Sequence, residues 1–271
     1  MLTLVPTPIG NIADISLRAM DKLAHADILL CEDTRVTKKL LHILSERYNL
    51  QRKEQEFISL HSHNEKAFIQ KVSKEFFDAD VVYVSDAGMP GISDPGQLLV
   101  RYCQDNAVQY DILPGANALL TAFVASGFVN TQMLFFGFLP HKGKDRSKGL
   151  QGALHNGFTT VLYEAPHRLD KLMKELAEEV PNRRVFFAKE LTKKYQSFFH
   201  GPAKDILKQI PKDTIKGEWV VVVEAGAARQ STISEKDVLS LDMSKKTASK
   251  LISKITGENI KECYTRLTQD D

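Results

Sequence analysis

The sequence predicts an α/β fold, two alternating strand–helix units followed by a small helical appendage, and three observations carry that prediction. Short runs rich in Val, Ile, Leu and Tyr recur between stretches whose apolar residues repeat at helical spacing. The connections between them are short, as in a mostly parallel sheet covered by helices. Beyond residue 228 the strand-like runs stop, and capped, lysine-rich helical segments take over. The division that results is 1–116, 117–228 and 229–271.

In the first unit the strands are expected at 2–5, 27–31, 57–60, 81–85 and 109–113. Leu17, Met20, Leu23 and Ala24 mark one intervening helix, and Leu40, Leu41, Ile43 and Leu44 a second. Ala67, Phe68 and Val72 mark a third, with Asn64 as its N-cap. Each strand runs into a chemically usable loop: 6–11, Glu32-Asp33-Thr34-Arg35, His61-Ser62-His63-Asn64, 85–96 and Pro114-Gly115-Ala116. Strand ends converging on one edge of an open α/β sheet are where such sheets bind ligands.

The loop at 85–96 holds Gly88, Gly91, Gly96, Pro90 and Pro95 after a Val/Tyr strand, so it cannot extend that strand but can hold a tight, exposed backbone. It matches neither G-x-x-x-x-G-K-[ST] nor G-x-G-x-x-G. Asp86 sits where no cap is needed, and a carboxylate there suits a cationic ligand such as a sulfonium or an ammonium. Asp94 and Pro95 read as the N-cap and first residue of a helix continuing through Leu98, Leu99 and Tyr102. His61 and His63 are two apart, on opposite sides of an extended chain, which is poor geometry for a shared metal, and no metal site is expected.

A small-residue helix at 116–127 leads into the second unit, which opens at 134–138. Strands follow at 158–163, 185–188, 195–199 and 219–224, with helices at 146–154, 169–180 and 203–209. Some of these connections are too short for helical crossovers, so this sheet is expected to be partly antiparallel. In the appendage Ser234 opens a short helix, and Ser244 caps a second whose apolar face is Ala248, Leu251, Ile252 and Ile255. Gly257 stops that helix before Asn259 and Glu262, which are spaced as a capping box.

At 271 residues and 43% hydrophobic, with no apolar run near the length of a membrane span, the chain reads as a globular protein of the cytoplasm with no membrane partner. Cys31, Cys103 and Cys263 are few and far apart, which fits a reducing compartment. Lys plus Arg number 36 against 34 Asp plus Glu, a net +2, so the global charge does not announce a nucleic-acid partner. Local runs do more. Lys142, Lys144 and Arg146 in the 141–148 stretch, and Lys245, Lys246 and Lys250 in the appendage, are candidate phosphate contacts, with a solvated surface as the alternative.

Eight segments together resemble the ribosomal RNA small subunit methyltransferase I family, a branch of the tetrapyrrole methylases. They are 5–11, 32–35, 85–96, 113–115, 125–127, 137–140, 163–168 and 189–192. The central loop departs from the family pattern at Met89 and Gly91, the later turn at Ala116 and Asn117, and the 163–168 motif at Ala165. The resemblance implies S-adenosyl-L-methionine as donor, a cofactor cleft between two α/β domains, and the 2′-hydroxyl of a decoding-region cytidine in 16S rRNA, free or in the small ribosomal subunit, as acceptor. A homodimer is left open.

With that donor, placement after strands makes Pro8, Asp86, Ala87, Gly88, Ile92, Ser93, Pro114, Gly115, Ala116, Tyr163, Glu164 and Pro166 the expected cofactor contacts. Glu32, Asp86, Lys189 and Glu190 are the candidate bases, and Arg35 is expected to partner Glu32 in holding a ribose and its phosphate. Two rival readings remain at this point: a methylase of a small tetrapyrrole, and a non-catalytic RNA-binding or ribosome-assembly protein on a borrowed fold.

Overall fold

A computed structural model of the chain describes residues 1–211, 214–228 and 234–269. The chain divides into two compact units, Met1–Gly226 and Ala227–Asp271. The sequence boundary between 228 and 229 adjoins residues 229–233, which lie outside the described residues.

The first unit holds two five-stranded sheets. In chain order the first contains β1 (Leu2–Leu4), β2 (Ile28–Cys31), β3 (Glu56–Ser59), β4 (Val81–Val84) and β5 (Tyr110–Ile112). Its spatial order is β3-β2-β4-β1-β5, with every pairing parallel. The helices are α1 (Leu17–His25), α2 (Thr34–Tyr48), α3 (Glu65–Lys71) and α4 (Gln97–Asp105). Alternation along β4 shows why both faces must be covered. Val82 and Val84 join the core beneath α1 and α2, whereas Val81 and Tyr83 join the one beneath α3 and α4.

α5 (Ala118–Ala125) leads to the second sheet, with β6 (Met133–Phe138), β7 (Thr159–Glu164), β8 (Arg184–Lys189), β9 (Ser197–Pro202) and β10 (Trp219–Val223) in the order β6-β7-β10-β8-β9. Only the β6–β7 pairing is parallel, so the mixed sheet expected from short connections is present. α6 (Gly143–Leu154), α7 (Pro166–Glu179) and α8 (Ala203–Gln209) cover one face. α5 packs on the other, where Val220 and Val222 meet Leu119, Ala122 and residues from the first sheet's loops, Ile9 and Ile92. That shared apolar cluster fixes the two sheets against each other within the unit.

The second unit contains α9 (Glu235–Leu239), α10 (Lys245–Thr256) and α11 (Ile260–Gln269) around Val238, Ala248, Ile252, Cys263 and Leu267. Ser244 caps α10, and Gly257 ends it at φ 80°. The reciprocal capping box forms at Ser234 and Asp237. At Asn259 only its own half is seen, the side chain accepting from the Lys261 amide at 2.9 Å. No helix among the described residues is long and apolar enough to cross a membrane.

Candidate active site

The C-terminal ends of the first sheet's strands are tied together before any ligand is considered. The amide of Asp86 donates to Glu32 Oε2 at 3.1 Å, and the amide of Asp33 donates to Asp86 Oδ1 at 3.0 Å. The β2 and β4 loops thus clasp each other through two carboxylates. Thr7 and Gly88 exchange both backbone bonds at 3.0 Å, which fastens the β1 loop to the same place. Gly88 has φ 85°, and a Cβ there would stand 3.1 Å from Ile9. That conformation and that approach call for glycine.

These loops and the second sheet enclose a cavity of about 410 Å³, within the usual size range of a small-molecule site. Of the residues expected from sequence, Glu32, Asp86, Ala87, Gly88, Ile92, Ser93, Tyr163, Glu164 and Pro166 line it. So do Ile9, Asp94, Asn117, Phe138, Leu191, Glu218 and Trp219, which the sequence reading did not assign. The lining contains no Lys, Arg or His among the described residues, only acids, apolar and small polar groups.

Asp94 overturns its expected role. α4 begins at Gln97 with Gly96 as N-cap at φ 134°, and the Gly96 amide donates to Glu65 Oε1 at 2.8 Å. Asp94 is therefore free of the helix and faces the cavity. Burial, and then the charge of Glu32, push its carboxyl up to about 6. Burial and Glu32 also raise Asp86 above the ordinary carboxylate range. Asn64 stands at the N-cap position of α3, but its side chain instead accepts from the His61 amide and donates to the Ser59 carbonyl.

Other expected contacts do not line the cavity. Arg35 turns its fork onto Asp33, at 2.6 to 3.2 Å, rather than joining Glu32; its hydrogen bonds hold Asp33 down to about 2. Lys189 donates to the Thr214 carbonyl and lies over the Trp219 ring at 5.8 Å. Glu190, at φ 51°, accepts from the Glu218 amide at 2.8 Å and from Lys193 at 3.0 Å, which makes it a brace for the cavity wall. Pro8, Pro114, Gly115 and Ala116 are outside the lining. A Cβ on Gly115 would stand 2.6 Å from Pro6, so that glycine serves the packing of two strand-end loops.

Arg146 is not a surface cation. It is 2% exposed, forks onto Glu175 at 2.7 to 3.0 Å, lies 3.4 Å from Glu164 and donates to the Pro140 carbonyl. Arg168 forms an ion pair with Glu164 from the other side at 3.0 Å and donates to the Leu139 and Pro140 carbonyls. The side chain of Glu164 is thus spent on two arginines, so its contribution to the cavity is backbone. Lys142, Lys144, Lys246 and Lys250 are exposed, whereas Lys245 is half-buried.

Residues 1–207 match the family of Tetrapyrrole (Corrin/Porphyrin) Methylases. A Campylobacter fetus ribosomal RNA small subunit methyltransferase I is 46% identical over 98% of this chain and 99% of its own. Those of Helicobacter pylori (strain 26695) and Bacillus subtilis are 41% and 40% identical, over 97% and 83% of this chain and 96% and 75% of theirs. Among solved structures, diphthine synthase superposes with a TM-score of 0.60 at 16% identity, covering 82% of this chain and 89% of its own. Uroporphyrin-III C-methyl transferase from Thermus thermophilus, complexed with S-adenyl homocysteine, gives 0.53 at 15%, covering 82% and 96%. With an acid-lined cavity at the strand ends and this extent of identity, the chain belongs to the ribosomal RNA small subunit methyltransferase I family of the tetrapyrrole methylases.

Proposed function

We propose that the cavity binds S-adenosyl-L-methionine and that the protein methylates the 2′-hydroxyl of a cytidine in the decoding region of 16S rRNA, in the small ribosomal subunit. The observation that carries this reading is the lining: Glu32, Asp86 and Asp94 beside apolar walls, with no cationic side chain among the described lining residues. Such a site favours a ligand with net positive charge, and family membership supports an rRNA acceptor.

A donor bound there supplies a methyl group on a positively charged sulfonium. The chain's own part is to orient, to exclude water and to take a proton. Ile9, Ile92, Tyr163 and Leu191 supply apolar walls. Glu32 and Asp86 each commit one oxygen to a backbone amide and keep the other for a ligand. Proton acceptance by a carboxylate of the Glu32, Asp86 and Asp94 group is favoured over Lys189 or Glu190, whose polar ends are engaged away from the cavity. A positioned base contributes roughly 10² to 10⁴ in rate.

Incubation with labelled donor and either free 16S rRNA or small subunits tests the reading. Label on a cytidine ribose is the expected result; label on a base, or none on RNA, defeats it. A homodimer is part of the proposal, supported by Leu120 and Val124, which α5 leaves 48% and 77% exposed, and sedimentation at micromolar concentration checks it.

A further inference from the structure

The rim of the cavity carries an aromatic side chain that lining a donor pocket does not explain. Phe138, at the end of β6, is 54% exposed. Its position is built. Gly137 takes φ 71° where the β6–β7 register shifts between Phe135 and Gly137, a bulge-like irregularity of the kind that re-aims a strand-end side chain. The Phe138 ring then stands edge-to-face on Tyr163 at 5.6 Å and 66°. The next two residues are gripped from behind: Arg168 and Arg146 hold the carbonyls of Leu139 and Pro140 and are themselves anchored on Glu164 and Glu175. Immediately beyond come Lys142 and Lys144, both exposed.

We infer that Phe138 is the stacking platform for the base of the acceptor nucleotide, with Lys142 and Lys144 holding the flanking phosphates. The inference rests on the RNA acceptor proposed above. An acid-lined cavity attracts a cationic donor but repels a polyanion, so the acceptor's affinity must come from the rim. A neutral, half-exposed ring with two exposed lysines four and six residues further along the chain offers what an unstacked nucleotide requires, because single-stranded RNA is gripped by stacking on aromatics and by cations along its backbone. The buried arginine–glutamate network then has a function beyond stability: it fixes the strap that presents the ring.

The test uses the full-length protein, labelled S-adenosyl-L-methionine and small ribosomal subunits lacking the modification. Phe138→Ala is expected to raise the KM for subunits roughly 5- to 100-fold, the range of one lost stacking contact, a larger factor than any loss of donor affinity seen by calorimetry. Phe138→Tyr and Phe138→Trp should restore binding, whereas Phe138→Leu, which keeps apolar bulk without a π-face, should not. Replacing Lys142 and Lys144 together by Ala should flatten the dependence of log affinity on log salt by roughly 1 to 2. A fall in donor affinity with unchanged KM for subunits would place Phe138 in the donor pocket and overturn the inference, as would rescue by leucine or no change at all. Wild-type protein that methylates neither subunits nor free rRNA would instead overturn the acceptor reading itself, and this inference with it.

Discussion

Asp94 shows how one side chain's chemistry depends on neighbours far away in sequence. In isolation Asp-Pro before an apolar helical run is a strong start signal, but the helix begins later because Glu65, on α3, takes the Gly96 amide and Gly96 adopts a left-handed φ. Asp94 is left half-buried beside Glu32, with its carboxyl pushed from 3.8 up to about 6. Between those two values Asp94 holds more proton in the folded protein than in the unfolded chain, so its contribution to stability falls as pH rises through the window. Asp94→Asn should remove that slope, its melting temperature gaining on wild type from about pH 4 to pH 6. A cationic donor favours the ionised carboxylate, so donor affinity should rise over the same window more steeply in wild type than in the variant, where Asp86 still titrates, and calorimetry at a series of pH values measures the difference. Tyr83 carries a second prediction. Its ring is fully buried under α3 and α4, and its hydroxyl has no hydrogen-bond partner among the described residues, with burial first and then Glu32, Asp94, Glu65 and Asp86 raising its pKa. Tyr83→Phe should therefore melt at the wild-type temperature or above it, since no bond is lost and a desolvated hydroxyl is removed. A drop of more than about 1 kcal/mol in a denaturant titration would contradict this.

At the scale of elements, the basic stretch before and into α6 divides in two. Lys142 and Lys144 are exposed as their composition suggests, but Arg146, two residues on, points into the unit, because Glu175 on α7 and Glu164 on β7 are waiting for it. A surface cation would tolerate Arg146→Ala with no more than about 0.5 kcal/mol lost. Breaking a buried pair leaves an uncompensated charge and costs about 3 to 5 kcal/mol, so a clear fall in melting temperature is expected. The 189–193 segment behaves in the same way. Lys189 ends β8 and Glu190 follows it, where catalytic residues often stand, yet Glu190 and Thr192 both take positive φ and their side chains brace other loops; Thr192 Oγ1 accepts from the Asn11 amide at 3.0 Å. This segment joins the β1 loop to the second sheet, and only Leu191 reaches the cavity.

For the whole molecule, the separation into Met1–Gly226 and Ala227–Asp271 is itself a prediction. Every described residue lining the cavity lies in the first unit, and the second has its own small core. A chain ending at Ala228 should fold, bind donor with unchanged affinity and lose affinity for small subunits as the Lys246 and Lys250 surface is removed. Full activity on subunits would exclude that docking role, and loss of donor binding would show the second unit to be structural. The alternation of strand and helix, the parallel first sheet, the mixed second sheet and the glycine-rich loop were all legible in the sequence, because periodicity, caps and turn chemistry are local and act over a few residues. The choice of Asp86 as a cavity carboxylate was legible for the same reason: no local need explained it. What only the tertiary structure decided was which polar groups neutralise one another. Arg35 takes Asp33 and not Glu32, Arg146 takes Glu175, Glu190 takes Lys193, and Asp94 is left facing the cavity. Charges pair through space, at distances set by how helices and sheets pack, and a linear pattern of like residues does not contain those distances.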